Sequence, residues 1–438
     1  MNSAETIITG EALITDPHES PISTGALVID KGIIADIGKK EEILKRWQAD
    51  EIVHKPAGLI MPGLINCHTH APMTLLRGIA DDLPLKEWLE KHIFPAESRL
   101  TSDLVYFGAE LACAEMIRAG TTSFVDMYLF EDSVAKAAAQ SGMRAWVGEG
   151  IFDFPTPAFS SGEEALKETR RLYEKWHNHP LITITVDPHT PYTCSKPLLE
   201  KSRDLAKDLD LLIVTHLAET AWEDGEIRRR FGTTPARYLD SLGLITPNTL
   251  AAHCVCLGSK DIKLLSNKRA CVAHCPESNL KLGSGIAPVA EMLQENITVT
   301  LGTDGTASNN DLDMLTEMDI AAKLQKGVTK DPTVVSAHDA LAMATTWAAR
   351  ALKRDDLGRL KKGCQADLAI LDMEQVHLRP TFDPISHIVY AAKQGDVIDL
   401  MVAGKWLMRD RCLTILDEEE LLKKLPNALE KLGLSSKE

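Results

Sequence analysis

The stretch GLIMPGLINCHTH, residues 58–70, is an apolar run that finishes in two histidines, His68 and His70. Its length and its lack of apolar–polar alternation suit a strand buried on both faces, as in a parallel sheet. Runs of the same kind recur along the chain: TTSFVDMY (121–128), MRAWVGEGIF (143–152), LITITVDP (181–188), LLIVTHL (211–217), TLAAHCV (249–255), ACVAHCP (270–276) and TVTLGTD (298–304). Segments of helical character separate them. Residues 98–119 carry Leu104, Phe107, Leu111 and Met116 at roughly helical spacing, and the alanine-rich 131–141 runs into Gly142, a natural helix stop. Residues 196–209, 221–242, 259–268, 287–295 and 310–326 read as further helices. Eight strands alternating with helices predict an α/β fold, a (β/α)8 TIM barrel. The runner-up is a doubly wound open sheet, but VGEGIF lacks the third glycine of a dinucleotide fingerprint.

The two ends of the chain read differently. Residues 1–57 and 358–415 contain short alternating runs such as TIITGEALITD, ADLAILD and DLMVAGKWLM, separated by turn residues. They are expected to pair into one small composite β-sandwich domain flanking a barrel of residues 58–357. Residues 416–438 are expected to form a C-terminal amphipathic helix interrupted by Pro426.

With 438 residues, 44% of them hydrophobic and 25% charged, the chain suits a large globular enzyme. A net charge of −15 argues against a nucleic-acid partner, whose binding needs clustered Lys and Arg. No apolar run is long enough to span a bilayer, so no membrane partner is expected, and the N-terminus does not read as a secretory signal. Nine scattered cysteines fit reduced thiols and a cytoplasmic location better than a disulfide framework. The pairs Cys254/Cys256 and Cys271/Cys275 lie in strand-like runs and read as small core residues. Composition leaves a homo-oligomer open.

The chemistry gathers at the C-terminal ends of the runs. His68 and His70 end the first, and His189, His216, His253, His274 and Asp304 end or follow the fourth to the eighth. In a barrel these ends meet at one mouth, where the active sites of this architecture lie. A lone histidine after a strand is ordinarily structural; six of the chain's fourteen histidines at one edge are not. On extended backbone His68 and His70 point the same way. A third imidazole and a carboxylate would complete a His₃Asp set for one zinc ion, with iron, manganese or cobalt also suited. Such an ion lowers the pKa of bound water from about 15.7 to about 7. Glu219, three residues after His216 in HLAE, is placed to move a proton; without that neighbour it would read as a solvated helix-start residue. The chain has no HExxH, no GxSxG, no P-loop and no H-x-E…P-C-x-x-C signature.

PGLINCHTHAPMTLLRG, HLAE, AHCV, HCPESNLKLGSG and LGTDGTASNN resemble the signature runs of the amidohydrolase superfamily, in its deaminase and chlorohydrolase branch. The resemblance covers nearly the whole chain. HIFPAE (92–97) and DPHTPYTCS (187–195) make it most similar to the 5-methylthioadenosine/S-adenosylhomocysteine deaminase family. The resemblance implies that His68, His70, His216 and Asp304 hold the metal and that His253 holds the water. It implies that Glu219 moves a proton to the purine, that Glu97 binds the ribose hydroxyls, and that His189 is a further substrate contact. Glu97 could equally be an exposed carboxylate near a helix start, and His274 is assigned to the pocket lining alone. LITITVDP has no lysine to bridge a second metal, so one metal is expected. Members that accept S-adenosylhomocysteine present a basic residue after strand three; here GEGIFDFPTPAF has none, and Arg144 starts the strand. That loop could line an apolar pocket for a methylthio group.

The expected substrate is therefore a 6-aminopurine nucleoside, 5′-methylthioadenosine first, with S-adenosylhomocysteine and adenosine as further candidates. Guanine or an s-triazine is the alternative ring, and a non-catalytic binding protein on a hydrolase barrel is the remote one. The 71–97 segment is too long for an ordinary βα loop and is expected to cover the pocket.

Overall fold

The computed structural model describes residues 2–83 and 85–434. The chain forms two compact units: Met1–Asn66, Ala114–Ser123 and Asp313–Leu416 make one, and Cys67–Cys113, Phe124–Leu312 and Asp417–Glu438 make the other.

The first unit carries a mostly antiparallel nine-stranded sheet built from both ends of the chain. Its central strands are Trp47–Pro62 and Asn2–Leu13, which run parallel to each other, while Leu368–Asp372 pairs antiparallel with Trp47–Pro62. Successive residues Ile7 and Ile8 fall in different core clusters, as the period of two requires. Ile8, Leu27, Ile34, Leu368 and Met401, from strands far apart in the sheet, share one cluster, so the sheet folds over its own apolar face. An isolated bridge between Ile33 and Gln365 closes the fold at its far edge. Gly32 and Gly404 pass there so closely that a Cβ on Gly404 would lie 2.7 Å from the Gly32 Cα. In the same unit the ammonium of Lys55 reaches the buried Asp399 at 2.8 Å and the exposed Asp410 at 2.6 Å.

The barrel strands are Leu64–Thr69, Thr121–Tyr128, Arg144–Ile151, the pair Ile182–Ile184 and Asp187–Pro188, then Ile213–Leu217, Thr249–His253, Cys271–His274 and Val299–Leu301. They form two parallel sheets, one of strands one to four and one of strands five to eight. Strand four meets strand five through the Val186–Ile213 bridge. After strand eight, the Asp304 amide donates to the His68 carbonyl at 2.9 Å and closes the ring.

Several elements differ from the sequence reading. The run 58–67 is not one strand. Its first part ends the sheet strand Trp47–Pro62, and barrel strand one starts at Leu64. The break falls at Gly63, where a Cβ would lie 2.1 Å from the Thr122 side chain. The expected helix 221–242 is two helices, Ala221–Phe231 and Pro235–Ser241, because Gly232 ends the first at φ 69°. The helix Gly162–Trp176, capped by Ser161, was not anticipated. The last helix, Glu418–Leu432, runs through Pro426 without a break. The lost hydrogen bond would have gone to the carbonyl of exposed Leu422. Within 71–97, Ala71–Leu76, Leu85–Trp88, Leu89–Ile93 and Phe94–Glu97 are short helical turns. Among the described residues no helix is long and apolar enough to cross a membrane.

Candidate active site

All the histidines singled out in the sequence, together with Asp304, lie at the C-terminal edge of the barrel strands, but they are not equivalent. Donor atoms of His68, His70 and Asp304 lie within 4.8 Å of one another, and so do those of His68, His216 and His253. His68 is common to both groups, so one cluster gathers residues from strands one, five, six and eight. The His70 Nε2 is 3.2 Å from Asp304 Oδ1 and 3.4 Å from His216 Nε2.

Hydrogen bonds to the far ring nitrogens set the tautomers. His216 Nδ1 lies 2.9 Å from the His189 carbonyl, and His70 Nδ1 bonds to the Met127 carbonyl. A carbonyl only accepts, so both Nδ1 atoms carry a proton, and in the neutral rings both Nε2 lone pairs face inward. Two lone pairs and a carboxylate converging on one point are a cation's environment, which is the chemical fit expected of a metal centre. The same pull acts on His70 itself. Burial opposes its charging, yet Asp304 pushes its pKa up to about 9. Burial holds His68 and His216 well below the ordinary imidazole value, and so in the neutral form that ligates. Asp304 would be raised by burial, but His70 holds it well below the usual carboxylate range.

Two residues of the cluster sit on strained backbone. His253 has φ 67° and Asp304 φ 63°, at a cost of about 1–3 kcal/mol each for a non-glycine residue. Neighbours hold them there. Asn279 Oδ1 accepts from His253 Nδ1 at 2.9 Å, and Ser278 and Ser308 donate to Asp304 Oδ2 at 2.6 and 2.7 Å. Gly302 lets strand eight pass strand one closely, since a Cβ there would lie 2.7 Å from the His68 backbone nitrogen. None of these supports was singled out from the sequence, although Ser278 and Asn279 lie inside HCPESN and Ser308 inside GTASNN.

Four members of the cluster, His70, His216, His253 and Asp304, line the inner end of a cavity of about 500 Å³, with His68 buried behind them. Glu219 lines it, and burial raises its carboxyl pKa above the ordinary value. Its backbone is fixed by the Glu223 carboxylate, which accepts from the amides of Ala218 and Glu219 at 3.0 and 2.8 Å. Farther up the wall, Glu97 is half-buried and accepts from the Tyr128 hydroxyl at 2.7 Å. Burial pushes its pKa to about 7. His189 also lines the cavity, with Nδ1 2.9 Å from Thr193 Oγ1 and its ring 4.4 Å from that of Phe152. Neither Glu97 nor Glu219 is the solvated surface carboxylate that each could have been. His274 departs from expectation: it is fully buried and is not among the residues lining the cavity. Burial lowers its pKa to about 3. Arg144 does face away from the mouth, donating to the Pro180 carbonyl at 2.9 Å.

A parallel barrel with a His/Asp donor cluster at its mouth, beside a carboxylate outside the donor set, defines a metal-dependent hydrolase. Residues 59–407 match the sequence profile of the amidohydrolase family, and the chain belongs to that family. It is 46% identical over 420 residues to the 5-methylthioadenosine/S-adenosylhomocysteine deaminase of Syntrophobacter fumaroxidans, covering 96% of each chain. It is 44% identical to the 5′-deoxyadenosine deaminase of Methanosarcina mazei, covering 98% of each. The structure superposes with a TM-score of 0.97 on an adenosine deaminase from Xanthomonas campestris with bound zinc, at 37% identity over 99% of both chains.

Proposed function

We propose that this chain is a zinc-dependent aminohydrolase that replaces the 6-amino group of a purine nucleoside by oxygen and releases ammonia. Its preferred substrate is 5′-methylthioadenosine. The observation that carries the reading is one cavity lined by four of the clustered donors together with Glu219 and Glu97. The relatives named as adenosine-type deaminases support the ring.

His68, His70, His216 and Asp304 would hold the ion. When bound, it supplies the Lewis acidity that makes hydroxide available near neutral pH. His253, with Nδ1 committed to Asn279, presents Nε2 as an acceptor that orients the attacking water. Asp304 accepts its proton, while Glu219, whose carboxyl pKa burial raises, protonates ring N1. Addition at C6 gives a tetrahedral carbon; the proton taken up by Asp304 then reaches the amino group, the C6–N bond breaks, ammonia leaves, and the proton left on the C6 oxygen returns to Glu219. Glu97 accepts the ribose hydroxyls, and His189 contacts the substrate along the same wall. The barrel, which begins at Leu64, carries the catalytic residues, and the sheet built from both ends of the chain is an accessory domain.

The test is ammonia release by zinc-loaded protein with methylthioadenosine, adenosine, guanine and a chlorotriazine. Turnover is expected for the nucleosides, with a loss of about 10²–10⁴ in Glu219→Gln. Full turnover by that variant with metal bound would remove Glu219 from the mechanism. Turnover of guanine or the triazine alone would replace the nucleoside reading.

A further inference from the structure

We infer that Asp126 is a positioning residue for the metal ligand His70, whose backbone it grips on both sides with one carboxylate oxygen. This rests on the metal-site reading above. It adds to that site a residue that is neither one of its donors nor part of the cavity wall.

His70 stands where the strand Leu64–Thr69 gives way to the turn Ala71–Leu76. A ligand at such a junction keeps its aim only if the backbone around it is held from elsewhere. Asp126 supplies that hold. Its Oδ1 accepts from the Thr69 hydroxyl and from the Ala71 amide, both at 2.5 Å. These donors are the two neighbours of His70 in the chain, so one oxygen spans the ligand. The Thr69 hydroxyl also lies 2.9 Å from the Val125 carbonyl. The residue after Asp126, Met127, offers its carbonyl to His70 Nδ1. The strand Thr121–Tyr128 thus holds His70 twice, through Asp126 by its backbone and through Met127 by its ring. Thr69, Ala71 and Asp126 are fully buried, so bulk water does not compete for these bonds.

Asp126 is itself fixed from behind. Its Oδ2 and both oxygens of the buried Glu131 meet no ordinary donor among the described residues. Two buried carboxyls side by side bond when one of them keeps its proton. Burial, followed by the charges of Asp126 and Glu149, holds the Glu131 carboxyl well above its usual range, so Glu131 is the one that donates. Glu131 opens the helix Glu131–Ser141. Its amide and that of Phe130 donate to the Glu149 carboxylate at 2.9 and 3.0 Å. A line of contacts therefore runs from the strand Arg144–Ile151 through the helix start to Asp126, and it ends on either side of His70. Ser278, Ser308 and Asn279 hold Asp304 and His253 in the same spirit. What the grip uses is an acceptor oxygen and not a charge. Asparagine carries that oxygen in the same place, and its Nδ2 can donate to Glu131.

The experiment measures the zinc dissociation constant by competition with a chelator, and the visible absorption bands of the cobalt(II)-substituted protein. The proteins compared are wild type, His70→Ala, Asp126→Ala and Asp126→Asn. Asp126→Ala is expected to weaken zinc by about 10–100-fold and to shift the cobalt bands, which report ligand geometry and not overall stability. Asp126→Asn is expected to bind zinc within about threefold of wild type, with wild-type bands. An Asp126→Ala protein with wild-type affinity and bands would overturn the inference. So would an Asn variant as weak as the Ala variant, since charge and not grip would then be at work. If Asp126→Ala does not fold, Thr69→Val and Thr69→Ser take its place: Val loses the hydroxyl and should weaken zinc, whereas Ser keeps it and should not. Wild-type affinity in Thr69→Val would then count against the grip. Unchanged affinity in His70→Ala would remove His70 from the metal site, and the inference would fall with that reading.

Discussion

Replacing Glu97 by alanine should cost nucleosides far more than it costs the purine ring. The Glu97 carboxylate already accepts one hydrogen bond, from Tyr128 at 2.7 Å, and has lone pairs left for two sugar hydroxyls. Hydrogen bonds to an ionised group contribute about 1.5–3 kcal/mol each. Losing two at the lower end is about 3 kcal/mol, roughly a hundredfold in kcat/KM. The same value for a 2′,3′-dideoxy analogue should barely change, because that substrate never made the contacts. Tyr128→Phe removes only a neutral hydroxyl that orients the carboxylate, so about 0.5–1.5 kcal/mol, or a few-fold to tenfold, is expected. The assay is ammonia release under kcat/KM conditions for both substrates and all three proteins. An equal loss on the dideoxy analogue would show that Glu97 supports the site and does not read the sugar. A loss below about fivefold on methylthioadenosine would refute the ribose contact outright.

Two further outcomes follow from buried charge. Burial pushes the Glu97 pKa to about 7, and it accepts ribose hydroxyls only when ionised, so kcat/KM should fall as pH drops below about 7. A pH profile of Glu97→Gln should lack that acid limb, and persistence of the limb would assign it to another group. Lys55→Met would leave the Asp399 carboxylate buried without its ammonium partner. Breaking a buried pair costs about 3–5 kcal/mol, read as a lower denaturant midpoint, whereas Asp410→Asn at the exposed partner should cost under about 1 kcal/mol.

The sequence made the donor cluster legible because each donor follows a local apolar run, and strand ends of a parallel barrel converge by geometry. It made Glu219 legible through its distance from His216. Tyr128 was not legible as the partner of Glu97, since 31 residues separate them and no local pattern links the two. Asn279 and Ser278 were visible within a motif, but their task depends on the left-handed backbone of His253 and Asp304, which apolar patterning does not encode. Strand one was misjudged because its apolar run crosses a change of sheet at Gly63 that only packing against Thr122 reveals. His274 shared the strand-end position of the clustered donors and was expected in the pocket wall. Position along a strand says where a ring starts, not whether its tip reaches the cavity.

The hydrogen bond from Asp304 to the His68 carbonyl joins the first barrel strand to the last. During synthesis, therefore, the donor set does not exist until residue 304 has emerged from the ribosome and the ring has closed. His68 and His70 are made early but wait for strands two to eight before their carboxylate partner arrives. Assembly of the donor cluster is thereby tied to closure of the ring. A chain that stops before strand eight lacks Asp304 and cannot bring it to His68 and His70.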